Sequence, residues 1–93
     1  MSSLERTLEA RVCANLAFQK FTTVKMGFDG WPDRLILLGR GRHCWFEFKT
    51  KEGKLRSSQK NRHRQLEEEG ELVYVIRSES EATRALEEAV DLI

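Results

Sequence analysis

The sequence predicts an α/β fold, a mixed four-stranded sheet flanked by helices in the order α-β-β-β-α-β-α. Three observations carry this expectation. Helix-like segments at the two ends and in the middle of the chain alternate with four short runs rich in aromatic, β-branched and other apolar residues. The turn between the second and third runs is short enough to make them an antiparallel hairpin. The fourth run is reached only after a helix, the connection that a parallel, right-handed crossover requires.

The first helix is expected from about Ser3 to Lys20. Leu4, Leu8, Val12 and Leu16 recur every four residues as one apolar stripe. Ser2 or Ser3 caps its start, and Glu5 lies near the positive end of the helix dipole. Phe21 to Met26 reads as the first strand. Gly27-Phe28-Asp29-Gly30 is a loop, and Pro32 restrains the chain just before Asp33. The second strand runs from about Asp33 to Leu38, Gly39-Arg40-Gly41-Arg42 turns, and His43 to Thr50 forms the third. After a break at Glu52-Gly53-Lys54, a second helix runs from about Ser57 to Glu69 and stops at Gly70. Leu72 to Ile76 is the almost wholly apolar run of a buried strand. Ser78 or Ser80 caps a last helix from about Glu81 to Leu92, with Ala82, Leu86 and Val90 inward.

A chain of 93 residues points to one domain over residues 1–93. Its core is small enough that a partner subunit would add to its stability. With 40% hydrophobic and 33% charged residues it reads as soluble and globular, and no apolar run approaches a membrane span. The segment from Met1 to Arg6 lacks the basic-then-apolar pattern of a secretion signal. Cys13 and Cys44 give neither a disulfide framework nor zinc spacing and read as small core residues. A reducing cytoplasm fits, or a host-cell cytoplasm for a viral chain. The net charge of +1 hides an asymmetry: residues 49–64 carry +6 and residues 65–93 carry −7. The basic block suggests a polyanionic ligand, and the acidic tail would face away from it.

The chemistry concentrates in Gly30-Trp31-Pro32-Asp33 and Glu47-Phe48-Lys49. Strand alternation puts Glu47 and Lys49 on one face, with Phe46 and Phe48 on the other. Adjacent antiparallel strands then bring Asp33, Glu47 and the Lys49 ammonium together. Two carboxylates and an amine suit a divalent cation and an attacking water. Each residue also has a plainer reading. Asp33 follows a turn proline, Glu47 and Lys49 suit the solvent face of a strand, and Glu9 and Gln59 suit a helix surface. His43 and His63 read as surface residues, with His63 able to touch phosphate from the basic helix. Trp45 reads as core, and Trp31 as a loop aromatic open to DNA or a second subunit.

Pro-Asp, a hairpin turn and Glu-x-Lys match the pattern of the PD-(D/E)xK nucleases. The chain resembles one branch over nearly its whole length: the VRR-NUC domain, a virus-type replication–repair nuclease, in its stand-alone form. The resemblance includes Glu9, Lys25, Gly30-Trp31-Pro32-Asp33-Arg34, Glu47-Phe48-Lys49, Gly53-Lys54-Leu55, Gln59, Gly70 and Ser78. It implies a restriction-endonuclease-like core. It also implies that Asp33, Glu47 and the Phe48 carbonyl hold Mg²⁺ or Mn²⁺, with Glu9 completing the shell through water and Glu5 its rival one turn earlier. Lys49 then orients or deprotonates water, and Gln59 faces the site. Where the family has a serine that caps the second helix, this chain has Arg56, so the cap is expected to shift by one residue.

Lys25, Lys51, Lys54, Arg56, Lys60, Arg62 and Arg64 are the expected contacts to DNA phosphates. The expected activity is Mg²⁺- or Mn²⁺-dependent endonucleolytic cleavage of DNA by a homodimer, with four-way junctions as the leading substrate. The alternatives are cleavage of flaps, nicks or duplex DNA, or a non-catalytic DNA-binding or assembly role of the same fold.

Overall fold

The computed structural model describes residues 2–92. Seven elements follow the expected order: α1 (Ser3–Phe18), β1 (Thr22–Lys25), β2 (Arg34–Gly39), β3 (Arg42–Phe48), α2 (Ser57–Glu68), β4 (Val73–Ile76) and α3 (Glu79–Leu92). The strands lie in the order β1-β2-β3-β4; β1–β2 and β2–β3 are antiparallel, and β3–β4 is parallel. The sheet is therefore mixed, and α2 forms the crossover between its two parallel strands. The β2–β3 hairpin closes through Arg40 and Gly41, both at positive φ (59° and 76°), the primed-turn geometry that matches strand twist.

Alternation along β2 and β3 sorts the sheet into two faces. Ile36, Cys44, Phe46 and Phe48 are buried in one core with Val12 and Leu16 of α1 and Ala82, Ala85, Leu86 and Ala89 of α3. The alanines on α3 let its backbone lie close to the sheet, and Val90 is only partly buried. The opposite face is partly covered by α2, whose buried residues are Gln59, His63 and Leu66. Val24 and Leu37 on that face remain about two-fifths exposed (40% and 39%).

Helix α1 departs from the expected stripe. Leu4 is 72% exposed, while Glu9 is buried. Residues four apart advance about 40° beyond a full turn at each step. Three steps carry Leu4 about 120° away from Leu16, which leaves the sheet side to Glu9, Val12 and Leu16. Ser2, rather than Ser3, caps α1 by accepting the Glu5 N–H at 3.1 Å. Ser78 caps α3, which begins two residues earlier than expected, by accepting the Glu81 N–H at 3.2 Å.

Candidate active site

Strand register fixes where the acidic residues meet. β2 and β3 pair Arg34 with Phe46 and Leu35 with Trp45. Carried one residue further, the same register sets Asp33 opposite Glu47, so both acids face the α2 side at one end of the sheet. Asp33 precedes β2 but is held at two points. Its carbonyl accepts the Met26 N–H at 2.9 Å, and its Oδ2 accepts the Phe48 N–H at 2.8 Å. A residue in an antiparallel strand turns its N–H and C=O toward the same neighbour. The Phe48 carbonyl therefore also faces the Asp33 side.

Glu47 is 2% exposed, and α2 supplies its partners. Gln59 Nε2 donates to Oε2 at 3.3 Å, and His63 Nε2 lies 3.2 Å from Oε1. The two partners are one helical turn apart on the buried side of α2. The start of the helix sets the orientation of Gln59. Arg56 is the N-cap, and its N–H donates to Gln59 Oε1 at 2.8 Å. That occupies the amide oxygen and leaves the amide nitrogen for Glu47. The cap does not shift by one residue as expected. Arginine has no acceptor to offer, so only the Gln59 half of the reciprocal cap remains.

Burial pushes the Asp33 carboxyl up to about 7, and contact with the Glu47 carboxyl and the charge of Glu9 add to the rise. The Phe48 N–H acts in the opposite direction. Glu9 lies against the other face of the sheet, where its Oε2 accepts from Arg34 Nε at 2.6 Å. Arg34 also donates to Thr23 Oγ1 at 3.4 Å. Glu9 thus anchors the residue next to Asp33. Lys49 directly follows β3, is half-buried, and donates its backbone N–H to the Ile76 carbonyl at 3.0 Å. Its ammonium has no hydrogen-bond or ion-pair partner among the described residues.

The basic residues divide into two groups. Lys25, Lys51, Lys54 and Lys60 are exposed and unpaired among the described residues. Arg56 pairs with Asp29 at 3.0 Å, and Arg64 donates to Asn61 at 3.2 Å. Arg62 stacks over Trp31, 4.5 Å from the ring centroid, and donates to Gln65 at 2.8 Å. Trp31 also packs against Trp45, with centroids 5.5 Å apart. It therefore joins the Asp33 loop to α2 and is not an open aromatic platform. Gly30, at φ 82°, makes that junction possible: a Cβ there would lie 3.1 Å from the Ser58 carbonyl oxygen.

His63 corrects the sequence reading. It is buried at 6% exposure and turned toward Glu47, not at the surface. Its four-residue spacing from Gln59 was the available signal. Arg77, also missed, holds the loop after β3.

Among the described residues no group of three His, Cys, Asp or Glu side chains has the arrangement of a metal cage. The oxygens that the strand register places at this end of the sheet are those of two carboxylates and, facing β2, the Phe48 carbonyl. That set fits a hard cation that keeps several of its waters, as Mg²⁺ and Mn²⁺ do, and does not fit a closed zinc site.

Helices on both faces of a mixed sheet, with Pro-Asp and Glu-x-Lys meeting across a hairpin, define a restriction-endonuclease-like α/β core. Within that class the chain has the fold of a solved structure described as "VRR_NUC domain", with a TM-score of 0.82, 21% sequence identity, and coverage of 92% of this chain and 97% of that one. No protein-family model matches the chain, and no curated protein does.

The raised Asp33 value fixes a pH dependence. Below about pH 4 the acid is protonated both folded and unfolded. Between there and about 7 the folded state alone keeps the proton, so stability is lost as pH rises across that window. Metal-free wild type should therefore lose stability relative to Asp33→Asn from about pH 4 to about pH 7, with no further divergence above. Urea unfolding in EDTA across this range measures it, and parallel curves would refute the coupling.

Proposed function

We propose that this chain is a Mg²⁺- or Mn²⁺-dependent, structure-selective DNA endonuclease that acts as a homodimer, with four-way junctions as its substrate. The observation that carries the reading is the β2–β3 register that sets Asp33 opposite Glu47, with Phe48 N–H on Asp33 and Gln59 and His63 on Glu47. A structural ion pair needs one acid and one base. Two acids set opposite each other under partial burial raise each other's cost, and a shared cation would remove what Gln59 and His63 leave of it.

Asp33, Glu47 and the Phe48 carbonyl would hold the cation. When bound, it supplies Lewis acidity toward the scissile phosphate and a more acidic water. The chain's own residues do the rest. Gln59 and His63 keep the Glu47 carboxylate aimed, and Glu9 does the same for Asp33 through Arg34. Lys49, its ammonium unpaired, positions the attacking water or offsets charge that builds on the phosphate. The exposed Lys51, Lys54 and Lys60, near the positive end of the α2 dipole, attract the DNA backbone. Lys25, Arg56, Arg62 and Arg64 complete the basic surface, with Arg62 acting chiefly through Trp31. A two-fold dimer suits a junction in which two strands are cut symmetrically. Val24 and Leu37, exposed on the same sheet face, provide apolar surface toward a second copy.

No helix among the described residues is long and apolar enough to cross a membrane. We place the protein in the cytoplasm, or in a host-cell cytoplasm for a viral chain.

Four-way, flap, nicked and linear DNA incubated with Mn²⁺ or EDTA test the reading. Paired symmetric nicks in the junction, absent in EDTA, are expected, and tight binding with no cutting of any substrate would overturn it. Asp33→Ala and Glu47→Ala should abolish cleavage while junction binding survives.

His63→Ala should weaken Mn²⁺ binding about 10–100-fold, the usual cost of losing a group that orients a ligand. Titration by electron paramagnetic resonance reads this directly, and an unchanged affinity would remove His63 from the site.

Lys60→Ala should reduce the slope of log affinity against log salt by about 1, leaving the single-turnover rate at saturation unchanged. An identical slope would place the DNA path elsewhere.

A further inference from the structure

Arg77 lies between β4 and α3 and is half-buried. It is fixed at both ends. Its backbone N–H donates to Glu81 Oε1 at 2.8 Å. Its Nη1 donates to the carbonyls of Gly53 at 2.6 Å and Thr50 at 2.7 Å, and reaches that of Lys51 at 3.4 Å. The three carbonyls belong to one tight turn, which Gly53 N–H closes onto the Thr50 carbonyl at 3.1 Å.

The place of this contact gives it meaning. Pairing of β3 with β4 ends where Lys49 N–H meets the Ile76 carbonyl at 3.0 Å. Beyond that point the chain leaves the sheet, and its carbonyls have no neighbouring strand. The next side chain along β4 takes over: the Arg77 guanidinium extends the cross-strand bonding by one turn. A charged donor makes hydrogen bonds roughly twice as strong as neutral ones. The segment so held begins beside Lys49 and carries Lys51 and Lys54, all three without ionic partners among the described residues. Gly53 adds a steric constraint, since a Cβ there would come within 2.8 Å of Thr50 Oγ1.

We propose that Arg77 is a positioning residue. It clamps the turn from Thr50 to Gly53, keeps Lys49 aimed at the Asp33–Glu47 pair, and presents Lys51 and Lys54 at a fixed spacing to a phosphate backbone. The clamp stands on geometry alone, and its consequence for cleavage rests on the nuclease reading.

Arg77→Ala and Arg77→Lys test it. Amide exchange over residues 51–54 should accelerate in Arg77→Ala. Mn²⁺ affinity should hold, because neither carboxylate is touched. The single-turnover cleavage rate should fall about 10²-fold, the scale set by a misplacement of about 1 Å. Millimolar methylguanidinium should restore part of that rate in Arg77→Ala and leave wild type unaffected. Arg77→Lys, which keeps the charge without the planar fork, should lose less. Unchanged exchange would overturn the clamp whether or not the wild type cuts DNA. Faster exchange with an unchanged rate, or a lost rate that tracks lost Mn²⁺ affinity and melting, would overturn the positioning role. A wild type that cuts nothing would defeat the nuclease reading and leave the exchange result to judge the clamp.

Discussion

Glu47 sits between two phenylalanines on a central strand, almost wholly removed from water. An acid in such a place is costly unless hydrogen bonds or a cation surround it. Much of the surrounding structure meets that demand. Helix α2 crosses the sheet where Gln59 and His63 can reach the two oxygens. The β2–β3 register brings a second acid opposite the first. The loop before β2 is drawn against α2 through Gly30 and through Trp31, which packs on Arg62 and Trp45. Loop, hairpin and helix are thus tied to one buried carboxylate, and displacing any of the three would disturb its surroundings.

Helix α2 has two unlike ends. Its first turn carries the Gln59 contact and lies beside the unpaired lysines. Its last turn carries Glu67 and Glu68, with Glu69 as the C-cap, where the helix dipole is already negative. That arrangement spends stability at the far end and leaves a field that points a polyanion toward the basic end. The orientation of the proposed polyanion would thus be set by the helix that also supplies the partners of Glu47, and added salt would weaken it.

The sequence made local features legible. Turn chemistry and a two-residue period were enough to find the hairpin, to separate Phe46 and Phe48 from Glu47, and to place Asp33 opposite Glu47. Distant partners stayed hidden. Nothing near Glu9 indicates that Arg34, twenty-five residues on, would draw it inward and leave Leu4 in solvent. His63 was masked by the charged residues around it, although its spacing from Gln59 placed both on one face. Arg77 follows an apolar strand and looks like an ordinary boundary residue; its bonds to the turn after β3 exist only because β4 runs parallel to β3 and ends beside that turn. An acidic pair can be read along the chain, but the groups that aim it come from neighbours the topology supplies.

The two cysteines bear on how this molecule can be handled at the bench. Cys44 is completely enclosed, its thiol pushed up to about 12 by burial, and burial likewise raises that of Cys13. Thiolate is the form that reacts with maleimides, so both native sulfurs should be sluggish. The exposed Arg40 turn lies at the end of the hairpin opposite Asp33 and Glu47. A cysteine introduced there would accept a fluorophore selectively, with neither native thiol removed and the label far from the acidic pair.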